Sequence, residues 1–248
     1  MNISVSALVL NSTPVGEADR MCVLLTDYLG VVYALARGAQ RIKNKNFAGT
    51  AQFVYGTFQL FNYKGHYIID EADYEEMFLP LRDHLDKLAL AQYLCELAME
   101  LAPSDLSCMN HLLLLRVALW LLATSKHPPA LIKAATELRM LSMAGYQPNL
   151  IMCPECGQYE PEHPVLLLSS GQMCCAECVS SPEPFALLDK GSLAAMRHAV
   201  FTEIRKAYSF ELSDRSMELL APAVEKYLLH RVEHTFITLQ FYKQIYET

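Results

Sequence analysis

Short runs of β-branched and aromatic residues alternate with polar positions over the first part of the chain, to about Leu79. Glycine, proline, asparagine or aspartate separates successive runs, as is usual between strands. The runs occupy residues 3–10, 22–25, 31–35, 53–60 and 67–69. About five strands in about 80 residues most commonly form a partly closed barrel. The pattern therefore predicts an all-β barrel domain over residues 1–79.

The period of the apolar positions changes at residue 81, where they begin to recur at i, i+3 and i+4, as in an amphipathic helix. Residues 103–105 should end the first helix and cap the second, prolines 128–129 should introduce the third, and Gly145 should end it. We expect Pro222 to interrupt the last helical stretch. The predicted helices are 81–102, about 105–124, 129–145, 193–207 and 214–246. Residues 80–248 are thus predicted to be an α-helical domain, and the chain an α+β, multidomain protein.

Residues 152–184 form a Pro-, Ser- and Glu-rich insertion between helices, and they contain two CxxC pairs. Each CxxC turn places two thiolates on one side of a tight loop, and two such loops complete a tetrahedron around Zn²⁺. Four thiolates leave no open coordination position, so we predict one structural zinc ion per chain that contributes to local folding. The predicted ligands are Cys153, Cys156, Cys175 and Cys178.

Two alternatives to this ligand set remain open. Cys174 adjoins Cys175 and can replace it in a CxxxC arrangement, although Cys175 preserves the CxxC loop. The cysteines can also be ordinary core residues or a redox dithiol. No strand-to-helix context surrounds either CxxC pair, which disfavours the redox interpretation.

The charge is distributed unevenly along the chain. The formal net charge of -7 argues against general nucleic-acid binding, yet residues 28–69 contain no Asp or Glu. That span carries Arg37, Arg41, Lys43, Lys45 and Lys64, and four of these five lie in residues 36–50. This segment lacks apolar periodicity, which predicts a flexible basic loop between strands that can follow phosphates.

Aromatic residues near the basic segment can offer faces to unpaired bases. The alternative is a solvated loop whose neighbouring aromatics fill the barrel core. The residues concerned are Phe47, Phe53, Tyr55, Phe58, Phe61 and Tyr63.

Signatures of catalysis and of membrane association are missing from the sequence. GxxxxGK[ST], HExxH, GxSxG and GxGxxG do not occur, and His230 and His234 have no third ligand nearby, so we do not expect an enzyme. A hydrolytic enzyme would require a convergent polar pocket. No apolar run reaches the roughly 20 residues of a membrane span, and the N-terminus lacks a positive n-region. We therefore expect a cytoplasmic protein, without a membrane partner, whose cysteines are reduced or metal-bound.

Three segments make the chain similar to a known family: 16–20 (GEADR), 36–39 (ARGA) and 137–153, which leads into CPECG. Over essentially its whole length the sequence resembles the bacterial RecO recombination mediators. The resemblance implies an N-terminal OB-fold, an α-helical domain and a four-cysteine zinc module. It also implies an ATP-independent, nucleoid-associated protein that binds single- and double-stranded DNA and anneals complementary strands. The implied partners are RecR and single-strand-binding protein, with RecA loading assisted indirectly.

The resemblance also implies which residues contact DNA. Carried over by position, they are Arg20, Arg37, Arg41, Lys43 and Lys45. Because the chain is acidic overall, we expect a narrow contact on the barrel. About five phosphate-facing cations predict a log-log salt slope of about -3 to -4 for a single strand. The alternative function is a zinc-containing protein-interaction scaffold of a repair complex, with little direct DNA binding.

Overall fold

The computed structural model describes residues 2–124, 127–180 and 182–246. By contacts the chain divides into two compact units. The first unit is Met1–Ser125 with Thr238–Thr248, and the second is Lys126–Ile237. The first unit therefore includes helices that follow the barrel in sequence, and the boundary at residue 79 stays a prediction. No helix among the described residues is long and apolar enough to span a membrane.

The predicted five-stranded barrel is confirmed, but it is fully closed and not partly closed, and its strand order is β1-β2-β3-β5-β4. They are β1 (Asn2–Val15), β2 (Asp19–Thr26), β3 (Val31–Ala36), β4 (Tyr55–Tyr63) and β5 (His66–Glu76). The barrel closes where β1 pairs with β4, with Ile3 opposite Leu60. The pairing of β3 with β5 is parallel, and all other pairs in the barrel are antiparallel. Val5, Val9 and Phe58 are among the residues that fill the interior, and the architecture is OB-like.

Six α-helices are present in the described residues. They are α1 (Leu85–Leu101), α2 (Met109–Thr124), α3 (Pro129–Leu141), α4 (Lys190–Phe201), α5 (Asp214–Arg231) and α6 (Ile237–Tyr246). A short 3-10 helix, Leu79–Asp83, precedes α1, and a π-helical turn, Ser142–Tyr146, follows α3. Gly145 adopts a positive φ of 90° in that turn, in agreement with the predicted end of the helix.

The second helix begins later than predicted, because the residues before it hydrogen-bond to the barrel. The N–H of Val31 donates to the carbonyl of Pro103 at 3.2 Å, and the N–H of Asp105 donates to that of Leu29 at 3.1 Å. The contact is close: Gly30 has a φ of 72°, and a Cβ there would lie 2.3 Å from the Pro103 carbonyl oxygen. Residues 103–105 are therefore part of a loop that docks on the β2–β3 turn, and they lie too early in the chain to cap α2, which begins at Met109.

The predicted interruption at Pro222 is wrong, because α5 continues through this residue to Arg231. Pro222 and Glu218, whose carbonyl would otherwise accept from residue 222, are both exposed, so water can replace the missing donor. The following turn keeps its helical packing through the buried Val224 and Tyr227. The chain leaves the helix only after residue 231, before α6 begins.

A buried ion group lies inside the second unit. Lys133 on α3 contacts Glu137 at 2.7 Å and Glu225 on α5 at 2.8 Å. Burial by itself lowers the pKa of Lys133, but the two carboxylates outweigh it and raise that pKa. The charged form of Lys133 is therefore part of the folded state.

Residues 152–184, which the sequence marked as an insertion, contribute short strands and turns to the second unit. A three-stranded sheet in the order β7-β6-β8 supports the cysteines. Its strands are β6 (Pro164–Leu167), β7 (Met173–Cys175) and β8 (Phe185–Leu187).

Candidate metal centre and nucleic-acid interface

Two cysteine loops meet in the second unit. In the first, the N–H of Gly157 donates to the carbonyl of Cys153 at 2.9 Å, and the positive φ of Gly157, 74°, allows the chain to reverse. In the second, Cys175 ends β7 and Cys178 ends a 3-10 turn that begins at Ala176. These local turns direct two sulfur atoms from each loop towards the other loop.

The sulfur atoms of the four predicted ligands all lie within 4.8 Å of one another. Four sulfurs bound to one Zn²⁺ at about 2.3 Å would be about 3.8 Å apart, so the spacing fits a tetrahedral four-thiolate site. The set is Cys153, Cys156, Cys175 and Cys178. The chemistry of the donors favours a soft or borderline metal ion such as zinc.

The protonation of these thiols also favours a cation. Burial by itself raises the pKa of Cys153, but backbone N–H groups of Cys175, Cys156 and Glu155 outweigh it and lower that pKa to about 6. The neighbouring thiols raise the pKa of Cys178, and the hydrogen bond to Cys156 makes the largest contribution to this rise. One thiol of the cluster thus ionises readily, and its negative charge disfavours ionisation of the next thiol. A divalent cation removes this repulsion.

Cys174 lies beside the cluster but is not one of its four members. Its Sγ is 3.4 Å from that of Cys153, while the Sγ atoms of Cys156 and Cys175 are 3.5 Å apart. Burial raises the pKa of Cys174 to about 12. The assignment of Cys175 as the ligand in preference to Cys174 therefore stays a prediction, which the geometry of the cluster supports.

Arg197 on α4 holds the first cysteine loop in place. Its Nε donates to the carbonyl of Leu150 at 2.8 Å, and its Nη2 donates to those of Ile151 at 3.0 Å and Tyr159 at 2.6 Å. The guanidinium carbon also lies 3.8 Å from the centre of the Tyr159 ring. No sequence pattern indicates this role, because Arg197 lies on a helix beyond both cysteine pairs and belongs to no recognisable spacing.

The basic segment between β3 and β4 is a loop, as the sequence predicted, and it consists of a series of hydrogen-bonded turns. The N–H of Asn44 donates to the carbonyl of Arg41 at 2.8 Å, and the N–H of Phe47 donates to that of Asn44 at 3.1 Å. Asn46 and Thr50 are buried. Backbone turns of this kind leave no apolar period in the sequence, so the pattern predicted the loop but not its internal hydrogen bonds, and the flexibility of the loop stays a prediction.

Arg20, one of the predicted DNA contacts, points into this segment. Its Nη1 donates to the carbonyl of Phe47 at 2.8 Å and to the Thr50 hydroxyl at 3.1 Å. Its guanidinium carbon lies 4.8 Å from the centre of the Phe47 ring. The geometry gives Arg20 a role in holding the turns, and its contact with DNA stays a prediction.

The other four predicted DNA contacts are exposed cations, Arg37, Arg41, Lys43 and Lys45. The Lys45 ammonium lies 3.5 Å from the Glu71 carboxylate, and both side chains are about half exposed, so solvent weakens this pair. A groove of about 690 Å³ is lined by Arg37 and Lys45 but not by Arg41 or Lys43. The groove is also lined by Asn2, Asn44, Asn46, Phe61, Tyr63, Ile68, Ile69 and Asp70.

Of the six aromatic residues near the basic segment, Phe47 is partly buried beside Arg20, and the other five divide into two groups. Phe53, Tyr55 and Phe58 are buried. Phe61 and Tyr63, by contrast, are 40% and 54% exposed and face the groove. The core interpretation therefore holds for the first three residues and fails for these two.

These features define a class of protein: an OB-like barrel with a basic turn segment, joined in sequence to helices and a four-cysteine cluster. Residues 1–78 match the family model described as "Recombination protein O N terminal", and residues 82–239 match "Recombination protein O C terminal". The chain belongs to the recombination protein O (RecO) family, as the sequence indicated.

Relatives that carry the name "DNA repair protein RecO" are similar to the chain over most of its length. The protein of Acetivibrio thermocellus is 26% identical over 243 residues, which cover 98% of this chain and 97% of the relative. The protein of Symbiobacterium thermophilum is 31% identical over 245 residues, which cover 96% of this chain and 95% of the relative. The protein of Desulfitobacterium hafniense (strain Y51) is 30% identical over 204 residues, which cover 81% of this chain and 74% of the relative.

Proposed function

We propose that the chain is an ATP-independent recombination mediator that binds single- and double-stranded DNA and anneals complementary strands. With RecR, it assists the loading of RecA onto DNA coated with single-strand-binding protein. The observation that carries the DNA-binding part is the position of Arg37 and Lys45 in a groove on the barrel. The names of the relatives, DNA repair proteins, support the pathway.

Local charge explains how an acidic protein can bind DNA. Residues 36–50 carry four cations and no acid, and their turns hold these side chains at the surface. Because Arg20 is engaged internally, four cations remain for phosphates, which gives a log-log salt slope of about -3 for a single strand. Affinity should then fall by about 50-fold between 50 and 200 mM salt.

The proposed metal is one structural Zn²⁺ per chain. The residues that would hold it are Cys153, Cys156, Cys175 and Cys178, which lie close enough together for tetrahedral coordination. When bound, the ion links the two cysteine loops and stabilises them, and it leaves no position open for substrate. We accordingly assign DNA binding to the barrel, residues 1–79, and a structural role to the zinc module in the region 80–248.

The test is a DNA titration with a quadruple variant in which Arg37, Arg41, Lys43 and Lys45 are changed to glutamate. Affinity for an oligonucleotide, measured by fluorescence anisotropy at 100 mM salt, should fall at least 100-fold. A matched control changes four exposed cations of the second unit to glutamate and should retain binding. The control residues are Arg205, Lys206, Arg215 and Lys226. Unchanged affinity in the barrel variant would remove the basic segment from the DNA site.

A protein-interaction scaffold is the second candidate, and a surface of α2 favours it. Met109 and Trp120 are exposed, and Leu113 and Val117 lie between them at helical spacing and are partly exposed. Four apolar residues on one solvent-facing stripe are typical of an interaction surface. Tight binding of RecR or single-strand-binding protein, together with negligible DNA affinity at physiological salt, would establish this candidate over the first.

A further inference from the structure

We infer that Phe61 and Tyr63 form a stacking platform for the unpaired bases of single-stranded DNA. This inference rests on the proposed function, and it adds a mechanism by which the barrel distinguishes a single strand from a duplex. Arg37 and Lys45, which line the same groove, would hold phosphates of the same strand. The platform is a second kind of contact, made to bases and not to the backbone.

The pattern of β4 is the first argument. Phe58 and Leu60 point into the barrel, so the alternate positions 57, 59, 61 and 63 point outwards. The first two outward positions are Thr57 and Gln59, which suit a surface facing water. The last two are aromatic, at the point where the strand borders the groove. An outward face that changes from polar to aromatic at a groove indicates a surface that binds something.

The geometry of the two rings is the second argument. Their centroids are 6.5 Å apart and their planes differ by only 15°. Both rings remain substantially exposed, so they do not serve to cover the barrel core. The ammonium of Lys64 lies over the Tyr63 ring, 5.4 Å from its centre, so a further cation contacts the platform.

The charges around the groove are the third argument. Arg37 and Lys45 are its lining cations, and Asp70 is its one lining acid, so the lining carries a net positive charge. The Asn46 amide donates to the carbonyl of Asp70 at 3.0 Å, which fixes this wall of the groove. Asn2 adds an amide group that can hydrogen-bond to base edges or phosphates, whereas the Asn44 amide donates to the carbonyl of Arg37 at 3.2 Å and helps to hold the turns. Aromatic faces beside cations are the combination by which proteins bind single strands without strict sequence preference.

A duplex cannot use such a platform, because its bases are already stacked on one another. It can still contact the cations through its phosphates. Removal of both rings should therefore weaken binding of a single strand by about 10- to 100-fold while binding of a duplex changes little. The salt slope should stay the same, since the cations are untouched.

The experiment compares three ligands of matched length with the full-length protein at fixed salt: dT20, an abasic 20-mer with the same phosphates, and a 20-bp duplex. Wild-type protein should bind dT20 at least tenfold more tightly than the abasic strand, a comparison that needs no variant. A double variant, Phe61→Leu and Tyr63→Leu, should bind dT20 and the abasic strand equally. Tyr74→Leu is the matched control, because Tyr74 is 56% exposed on β5 but does not line the groove.

The outcomes separate this inference from the function on which it rests. If wild-type protein binds dT20 and the abasic strand equally well, DNA binding stands and the stacking platform is overturned. A double variant that still discriminates between the two strands also overturns it. If wild-type protein binds none of the three ligands, the proposed DNA-binding function fails, and the platform fails with it.

Discussion

Replacing Arg197 with alanine should weaken binding of the proposed zinc ion without changing any of its proposed ligands. The side chain hydrogen-bonds to the carbonyls of Leu150, Ile151 and Tyr159, which flank the first cysteine pair on both sides. Alanine removes all three bonds and the stacking on the Tyr159 ring. The loop that presents Cys153 then loses its attachment to α4.

The free energy lost in the alanine variant depends on how far each of these hydrogen bonds is buried. The bond to Leu150 is partly buried and, as a bond from a charged donor, contributes about 1.5 kcal/mol. The bonds to Ile151 and Tyr159 are exposed, so water competes and each contributes about 0.5 kcal/mol. With the ring contact, the total is about 3 kcal/mol. If most of this free energy organises the metal site, the dissociation constant for zinc should rise about 10- to 100-fold, the range expected when a group that orients metal ligands is lost.

The assay is competition for zinc with a chromophoric chelator, with the metal content of each variant measured beforehand. Arg205→Ala is the control, because Arg205 is exposed and is not among the residues that hydrogen-bond to the loop in the described structure. Arg197→Lys keeps the charge but not the forked donors, so its zinc affinity should lie between that of the wild type and that of the alanine variant. A dissociation constant for Arg197→Ala within threefold of the wild-type value would refute the reasoning.

Three further predictions concern the metal, the buried ions and pH. Cys175→Ser should lose the zinc, whereas Cys174→Ser should keep about one equivalent by elemental analysis; the opposite result would make Cys174 the ligand. Lys133→Met should lower the free energy of unfolding by about 3–5 kcal/mol in urea titrations, because it leaves the buried carboxylate of Glu137 and the partly buried one of Glu225 uncompensated; a loss below about 1 kcal/mol would contradict this. Burial alone raises the pKa of Asp189, but hydrogen bonds at the start of α4 lower it below its ordinary value. Asp189 therefore stabilises the fold above about pH 4 and stops doing so as the pH falls through its lowered pKa. The stability difference between wild type and Asp189→Asn should shrink from pH 5 to pH 2, and a constant difference would count against this role.

Part of the candidate site was readable from the sequence. The spacing of the two CxxC pairs predicted a sulfur cluster, and the four predicted ligands do lie together. The acid-free span 28–69 predicted a basic surface, and the exposed side chains of Arg37 and Lys45 line a groove. Both features depend on residues close together in the chain, where spacing limits which groups can meet.

The rest depended on partners distant in the chain. Arg20 contacts Phe47, 27 residues away, and Arg197 contacts Leu150, 47 residues away. A long cationic side chain has the same appearance in a sequence whether it faces phosphate, a carbonyl or water. Only the fold determines which of these partners it meets.

The sequence by itself determined the barrel, the helices and the positions of the four cysteines, because alternation, helical period and CxxC spacing are local properties. The tertiary structure decided which barrel cation turns inwards, where α2 begins and which aromatics stay exposed. It also brought Arg197 to the first cysteine loop and allowed α5 to continue through Pro222. Each of these outcomes depends on which groups from separate segments meet, or on which side of a helix faces solvent, and no local pattern encodes that.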